Sequence, residues 1–112
     1  MADDGDEHEK DAQAPHNVVD PVIFGRRLRA LRIITGYDRV ADFANDLRRI
    51  TGVEVSDRTV YAVERGEQPP TLDFYFAALY VLKPPEGPLY FMPALRGDVA
   101  DALAAYYTQV VR

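Results

Sequence analysis

The sequence predicts an all-α fold of about five helices, preceded by a disordered acidic arm, and three observations predict it. Apolar residues recur at spacings of three and four through several stretches after Pro21. Helix-starting residues stand ahead of those stretches, and glycine or proline stands behind them. Residues 1–20 lack any apolar periodicity and hold seven acids against the single base Lys10, a composition that cannot bury enough surface to offset ordering entropy.

The elements follow in chain order. Pro21 suits a first turn, and Phe24, Leu28, Leu31 and Ile34 form one stripe that Gly36 stops. Asp38 is expected to cap a second helix with Val40, Phe43, Ala44, Leu47 and Ile50 on its apolar side, ending near Thr51 and Gly52. After the connector Val53 to Val55, Ser56 reads as an N-cap and Gly66 as a C-terminal stop. Between them Val60 and Val63 point one way, and Arg58, Tyr61 and Arg65 point elsewhere. Thr71 caps a fourth helix whose face of Leu72, Tyr75, Phe76, Leu79 and Leu82 is matched by a second apolar face of Phe74, Ala78 and Val81, so burial on two sides is expected. Residues 83–97 hold four prolines around Leu89 to Met92, which reads as an extended strap or a short strand. A last helix is expected from Asp98, with Val99, Ala102, Leu103, Tyr106 and Val110 on one stripe.

Bulk properties restrict function. With 112 residues and 47% hydrophobic content the chain suits one core. No run nears the roughly 18 apolar residues that span a bilayer, and the start lacks a secretory signal pattern, so a cytoplasmic protein without a membrane partner is expected. The absence of cysteine removes disulfides, thiolate nucleophiles and zinc–cysteine sites. Both histidines, His8 and His16, lie in the arm and Ser56 is the only serine, so no Ser-His device can be assembled in the folded part. Asp42 and Asp46 read as a solvated charged face with Arg39 and Arg49. No phosphate loop or metal-ligand spacing occurs, and no enzyme, cofactor or metal site is expected.

Taken as a total, the net charge of −5 opposes a nucleic-acid partner, but its distribution reverses that. Residues 1–20 carry −6, whereas residues 26–65 hold nine arginines against six acids.

Four local patterns in the right order resemble the phage-repressor and Cro-type (XRE-like) helix-turn-helix family. They are Leu28 to Arg32 followed by Gly36 and Tyr37, the pair Phe43 and Ala44, the stretch from Val55 and Ser56 to Glu64, Arg65 and Gly66, and Pro69 to Leu72. The resemblance covers about half the chain. It implies a lambda-repressor-like domain over 21–83, with 1–20 as the arm and 84–112 as a C-terminal strap and helix for dimerisation. This chain departs from the family in about six extra residues between Leu47 and Val55, which imply a longer second helix or a looser turn, and in one extra residue between Gly36 and Phe43.

The resemblance also implies roles. The third helix would lie in the major groove with its N-terminal residues near base edges. Arg58 is the leading candidate for a bidentate contact to guanine, worth about 1–3 kcal/mol of discrimination. Asp57 is a candidate acceptor from cytosine, although an acid in a first turn is also what the helix dipole favours. Tyr61 and Ala62 occupy later readout positions, with packing on the second helix as the other reading for Tyr61. Ser56 and Thr59 are candidates for phosphate or base, with capping alone open for Ser56. Arg39, Arg49 and Arg65 are phosphate candidates, whereas Arg48 reads as solvated. Arg32 and Glu64 resemble a structural pair that joins the first helix to the end of the third.

The function expected is a sequence-specific DNA-binding transcriptional regulator, a repressor of phage or mobile-element type, binding a near-palindromic operator on double-stranded DNA as a homodimer. Its place would be the bacterial or phage-infected cytoplasm, at the nucleoid. Two alternatives stay open: an antitoxin that holds a toxin through its C-terminal segment, and a protein-interaction module that has lost DNA binding.

Overall fold

The computed structural model describes residues 17–111, so the arm expected over 1–20 lies outside the described residues except for 17–20. Those four belong to the domain. Asp20 donates its backbone N–H to the Ala94 carbonyl at 2.7 Å, Arg96 N–H reaches the Val18 carbonyl at 2.8 Å, and Val19 makes an antiparallel bridge with Leu95. The domain thus takes in residues ahead of Pro21, because backbone groups at 18–20 find partners at 94–96.

Helix α1 spans Pro21–Thr35. The Asp20 carboxylate accepts from the N–H groups of Val22 and Ile23 at its start, and Gly36, with φ 114°, closes it in the left-handed conformation. Phe24, Gly25, Leu28, Leu31 and Arg32 are buried, but Ile34 is 82% exposed. The buried side is centred toward Gly25 and Arg32, and Ile34 lies roughly 120° round from its middle.

Helix α2 spans Val40–Asp46 and runs directly into a π-helical turn, Leu47–Thr51. Its N-cap is Arg39, which makes no side-chain cap, so the helix starts one residue later than a cap at Asp38 requires. Val40, Phe43, Ala44 and Leu47 are buried as the stripe predicts, whereas Ile50 is exposed because i→i+5 winding carries it off that stripe. Thr51 Oγ1 donates to the Leu47 carbonyl at 2.6 Å and accepts from Val53 N–H at 3.2 Å, and Gly52 at φ 77° ends the turn. The extra residues before Val55 are therefore taken up by a longer second helix with a widened last turn.

Helix α3 spans Asp57–Glu64, with Ser56 Oγ accepting from Thr59 N–H at 3.1 Å. Gly66 and Glu67 return N–H groups to the Val63 and Ala62 carbonyls at its end. Helix α4 spans Leu72–Leu82, capped by Thr71 and closed by Lys83 at φ 46° ahead of Pro84. Phe74, Ala77, Ala78 and Leu82 face the core with Tyr75, Leu79 and Val81 half-buried against it, while Leu72, Phe76 and Tyr80 are exposed, so the second expected face is covered and the first only in part. A helix apolar all round carries no pattern that tells a core face from a free one.

The proline-rich segment is neither strap nor strand over most of its length; Gly87–Ala94 forms a 3₁₀ helix. Pro88 and Pro93 remove N–H donors, which short i→i+3 turns tolerate. Phe91 and Ala94 are buried in the same core as α1, and Phe91 stacks on Phe24 at 4.3 Å between centroids. Arg27 and Tyr90 fasten this segment reciprocally: Arg27 Nε donates to the Tyr90 carbonyl at 2.6 Å, and Tyr90 Oη donates to the Arg27 carbonyl at 2.7 Å. The final helix, α5, spans Gly97–Val111. Val99 is half-buried, but Ala102, Leu103 and Tyr106 are exposed and Tyr107 is the half-buried tyrosine, while the side chain of Val110 lies outside the described residues. Phe43, Leu28, Leu47, Val60 and Val63 form the centre of the core, so α1, α2 and α3 meet there. No described helix is long and apolar enough to cross a membrane.

Candidate nucleic-acid interface

The apolar side of α3 is fixed first, and that decides what its other side presents. Val60 and Val63 are fully buried, and α1 approaches α3 so closely at Gly25 that a Cβ there would stand 2.4 Å from the Val63 carbonyl oxygen and 2.5 Å from that of Glu64. Beside this contact Arg32 and Glu64 form a two-pronged ion pair, Nε to Oε2 at 2.6 Å and Nη2 to Oε1 at 3.1 Å, with both side chains 5% exposed. The remaining Nη1 of Arg32 donates to the Tyr37 carbonyl at 2.7 Å. Sequence reasoning found the pair but not Gly25, whose only signal is a glycine inside a helical stretch, where it costs about 1 kcal/mol relative to alanine and so implies a packing reason.

With that side closed, Asp57, Arg58, Thr59, Tyr61, Ala62 and Arg65 line one shallow concavity together with Glu67 and Gln68. A second hollow of about 410 Å³ is lined by Arg29, Arg39, Tyr61 and Arg65 among others, which places Tyr61 and Arg65 on the ridge between the two. The Arg65 guanidinium lies 5.3 Å over the Tyr61 ring. Arg49 lines neither hollow; it pairs with Asp46 at 2.8 Å, farther along α2. Asp46 also accepts from the Tyr37 hydroxyl at 2.6 Å. That bond, with help from Arg49, holds the Asp46 carboxyl below the usual range, and the same bond raises the Tyr37 phenol against the opposing charge of Arg49. Glu67, Gln68 and Arg29 are members that sequence reasoning missed; Arg29 sits in the run from Arg26 to Arg32, whose basic character was its signal.

The arginines differ in how far their charge is already answered. Arg39 pairs with Asp42 at 3.3 Å and Arg65 with Glu67 at 3.7 Å, while Arg58 has no such carboxylate among the described residues. Ser56 Oγ is engaged by Thr59 N–H and lies 3.1 Å from Thr59 Oγ1, so its local role is the cap.

Arg48, expected as a solvated residue, holds the connection between α2 and α3. Its Nη1 donates to the Val55 carbonyl at 2.7 Å and lies 3.5 Å from Asp57 Oδ1, so one guanidinium ties the π turn to the first turn of α3. The widened turn brings Arg48 within reach of a carbonyl seven residues on, a contact that regular helix spacing does not suggest. Arg48→Ala should lower stability by about 1 kcal/mol, since the group is partly solvated. Amide exchange should quicken at Val53 and in the first turn of α3 and stay unchanged in α1, as read by hydrogen exchange in the folded protein.

Compared with known families, characterised proteins and solved structures, the chain shows no match.

Proposed function

We propose that the protein is a sequence-specific DNA-binding transcriptional regulator, a repressor of the phage or mobile-element type, that places α3 in the major groove of a near-palindromic operator as a dimer. The observation that carries this reading is the outer face of α3: Arg58, Tyr61 and Arg65 stand exposed on a helix whose opposite side is locked to α1 and α2. A rigidly held helix with an arginine in its first turn that no carboxylate answers among the described residues suits base readout, which needs a side chain held in register with one base pair. Arg39 and Arg65 line one hollow beside α3, and on binding each would exchange its own carboxylate for a phosphate. Tyr61, between them, has an aromatic edge for a thymine methyl and a hydroxyl for a phosphate. The order of helix-turn-helix patterns from Leu28 to Leu72 supports the same reading.

Footprinting on the DNA upstream of this protein's own gene tests it, with affinity measured across a range of salt. The expected result is protection of two half-sites about one helical turn apart, and a log–log salt slope of about −0.9 for each phosphate neutralised. Arg58→Ala should cost about 1–3 kcal/mol on the operator and relax preference at one base pair per half-site. One observation favours the interaction-module reading instead, the carboxylates that already answer Arg39, Arg49 and Arg65. A salt slope near zero with no sequence preference would decide for it.

A further inference from the structure

Helix α4 turns one apolar face to the core and leaves a second one open. Leu72 is 74% exposed, Phe76 60% and Tyr80 60%, at spacings of four and four, so they form a single stripe about 12 Å long with Phe76 at its midpoint. At its Leu72 end the stripe meets a groove of about 280 Å³ between α4, the 3₁₀ segment and α5, lined by Leu72, Tyr75, Leu89, Leu103 and Tyr107 among others. Leu89 and Leu103 are exposed there, and so, beside the groove, is Tyr106, whose ring stands 6.0 Å from that of the groove-lining Tyr107.

We infer that this stripe is the face on which a second copy of the chain seats, with the two α4 helices antiparallel across a two-fold axis that passes by Phe76. Two features of the surface favour a copy of itself over another occupant. The first is area: the six exposed residues present roughly 700 Å² per copy, close to the ~800 Å² per partner of a stable interface.

The second is self-complementarity, which an interface between identical patches requires. The equal spacing about Phe76 means that an antiparallel arrangement sets Phe76 against Phe76, and Leu72 against Tyr80 of the second copy. That Tyr80 ring then covers the groove mouth. Charge agrees with this register. The Lys83 ammonium lies 4.7 Å over the Tyr80 ring, so its charge stands at the level of Tyr80. Antiparallel pairing brings that level beside Leu72 and Asp73 of the second copy, where the exposed Asp73 carboxylate answers it, twice by symmetry. A parallel arrangement would set Asp73 beside Asp73 and Lys83 beside Lys83.

Self-association deepens the regulator reading, and rests on it for the use of a two-fold operator, but it is measured without DNA, so either can fail alone. Sedimentation equilibrium of the full chain should show a dimer. Phe76→Asp and Phe76→Lys each put like charges together at the axis and should weaken the dimer at least about 100-fold. Mixed one to one, the two variants should dimerise again, which also shows that both are folded. Ile34→Asp, at an exposed apolar position on α1, should leave the dimer unchanged, as should Arg58→Ala. A wild-type chain that stays monomeric, alone or in a complex with a different protein, would overturn the inference. So would a Phe76→Asp variant that dimerises as wild type does, or a mixture that remains monomeric while each variant keeps its helical spectrum.

Discussion

Glu64→Ala should lower the stability of this domain by about 3–5 kcal/mol, the largest loss expected of any single side chain outside the apolar core. The magnitude follows from burial. Arg32 and Glu64 are each 5% exposed, so truncating the glutamate leaves a guanidinium in the interior with one remaining acceptor, the Tyr37 carbonyl. An exposed pair such as Arg39 and Asp42 is worth only ~0–1 kcal/mol, because water already solvates both partners. Urea unfolding followed by circular dichroism measures the difference. The double variant Arg32→Met with Glu64→Leu should recover most of the loss, since the cost lies in the unpaired charge more than in the missing attraction. Equal losses from Glu64→Ala and Asp42→Ala would refute the account. DNA affinity of Glu64→Ala at a temperature where it stays folded should fall less than that of Arg58→Ala, because Glu64 faces inward.

Gly25→Ala should cost about 3 kcal/mol, an unusual penalty for adding a single methyl to a helix. In an open helix the change is favourable, because alanine loses less backbone freedom than glycine. Here the methyl carbon would stand 2.4 and 2.5 Å from two backbone carbonyl oxygens of α3 and 2.9 Å from the Glu64 carbonyl carbon. These atoms belong to a helix end held by Val63 and Glu64, so no side-chain rotation relieves the clash; α1 and α3 must separate. For a domain of this size that loss corresponds to a fall in Tm of about 10–20 °C. Gly97→Ala is the control, since nothing lies within 4 Å of a Cβ there, and it should be neutral or slightly stabilising. If the two variants melt at the same temperature, the close approach of α1 to α3 is not a constraint. Displacing α3 would also move Arg58, so Gly25→Ala should weaken operator binding even under conditions where the variant is folded.

Much of the fold was legible because its signals are local. The Ser56 cap, the Gly66 stop, the Thr71 cap and, except at Ile34, the apolar spacing of α1 depend on residues within one or two turns of each other, and the structure has them in those places. The departures arise where local signals were absent or degenerate. Asp38 was the local signal for the start of α2, but the helix begins one residue later than that cap requires, at Val40, which is buried in the core. Along α4 nearly every face is apolar, so periodicity named a face of Leu72, Tyr75, Phe76, Leu79 and Leu82, of which Tyr75, Leu79 and Leu82 pack on the core while Leu72 and Phe76 stay open. Around residues 84–94 the prolines signalled an irregular segment, but a packing partner, Phe24, was needed to wind it into a 3₁₀ helix with Phe91 inside.

For the candidate interface the division is similar. The alternation of Val60 and Val63 with Arg58, Tyr61 and Arg65 assigns an inner and an outer side to α3 from the sequence alone, because a helix of known start has fixed angular positions. How far each arginine's charge is already neutralised was not available there, since Glu67 reaches Arg65 around a turn and Asp57 reaches Arg48 across one. By itself the sequence determined the α-helical segments, the Ser56 and Thr71 caps, the acidic start and basic middle of the chain and the outward residues of α3. The tertiary structure alone decided that Gly25 sets the distance between α1 and α3, that Arg48 pins the widened turn, and that α4 keeps an apolar stripe open. Each of these depends on atoms distant in sequence meeting at a few ångströms, and short-range spacing does not encode that separation.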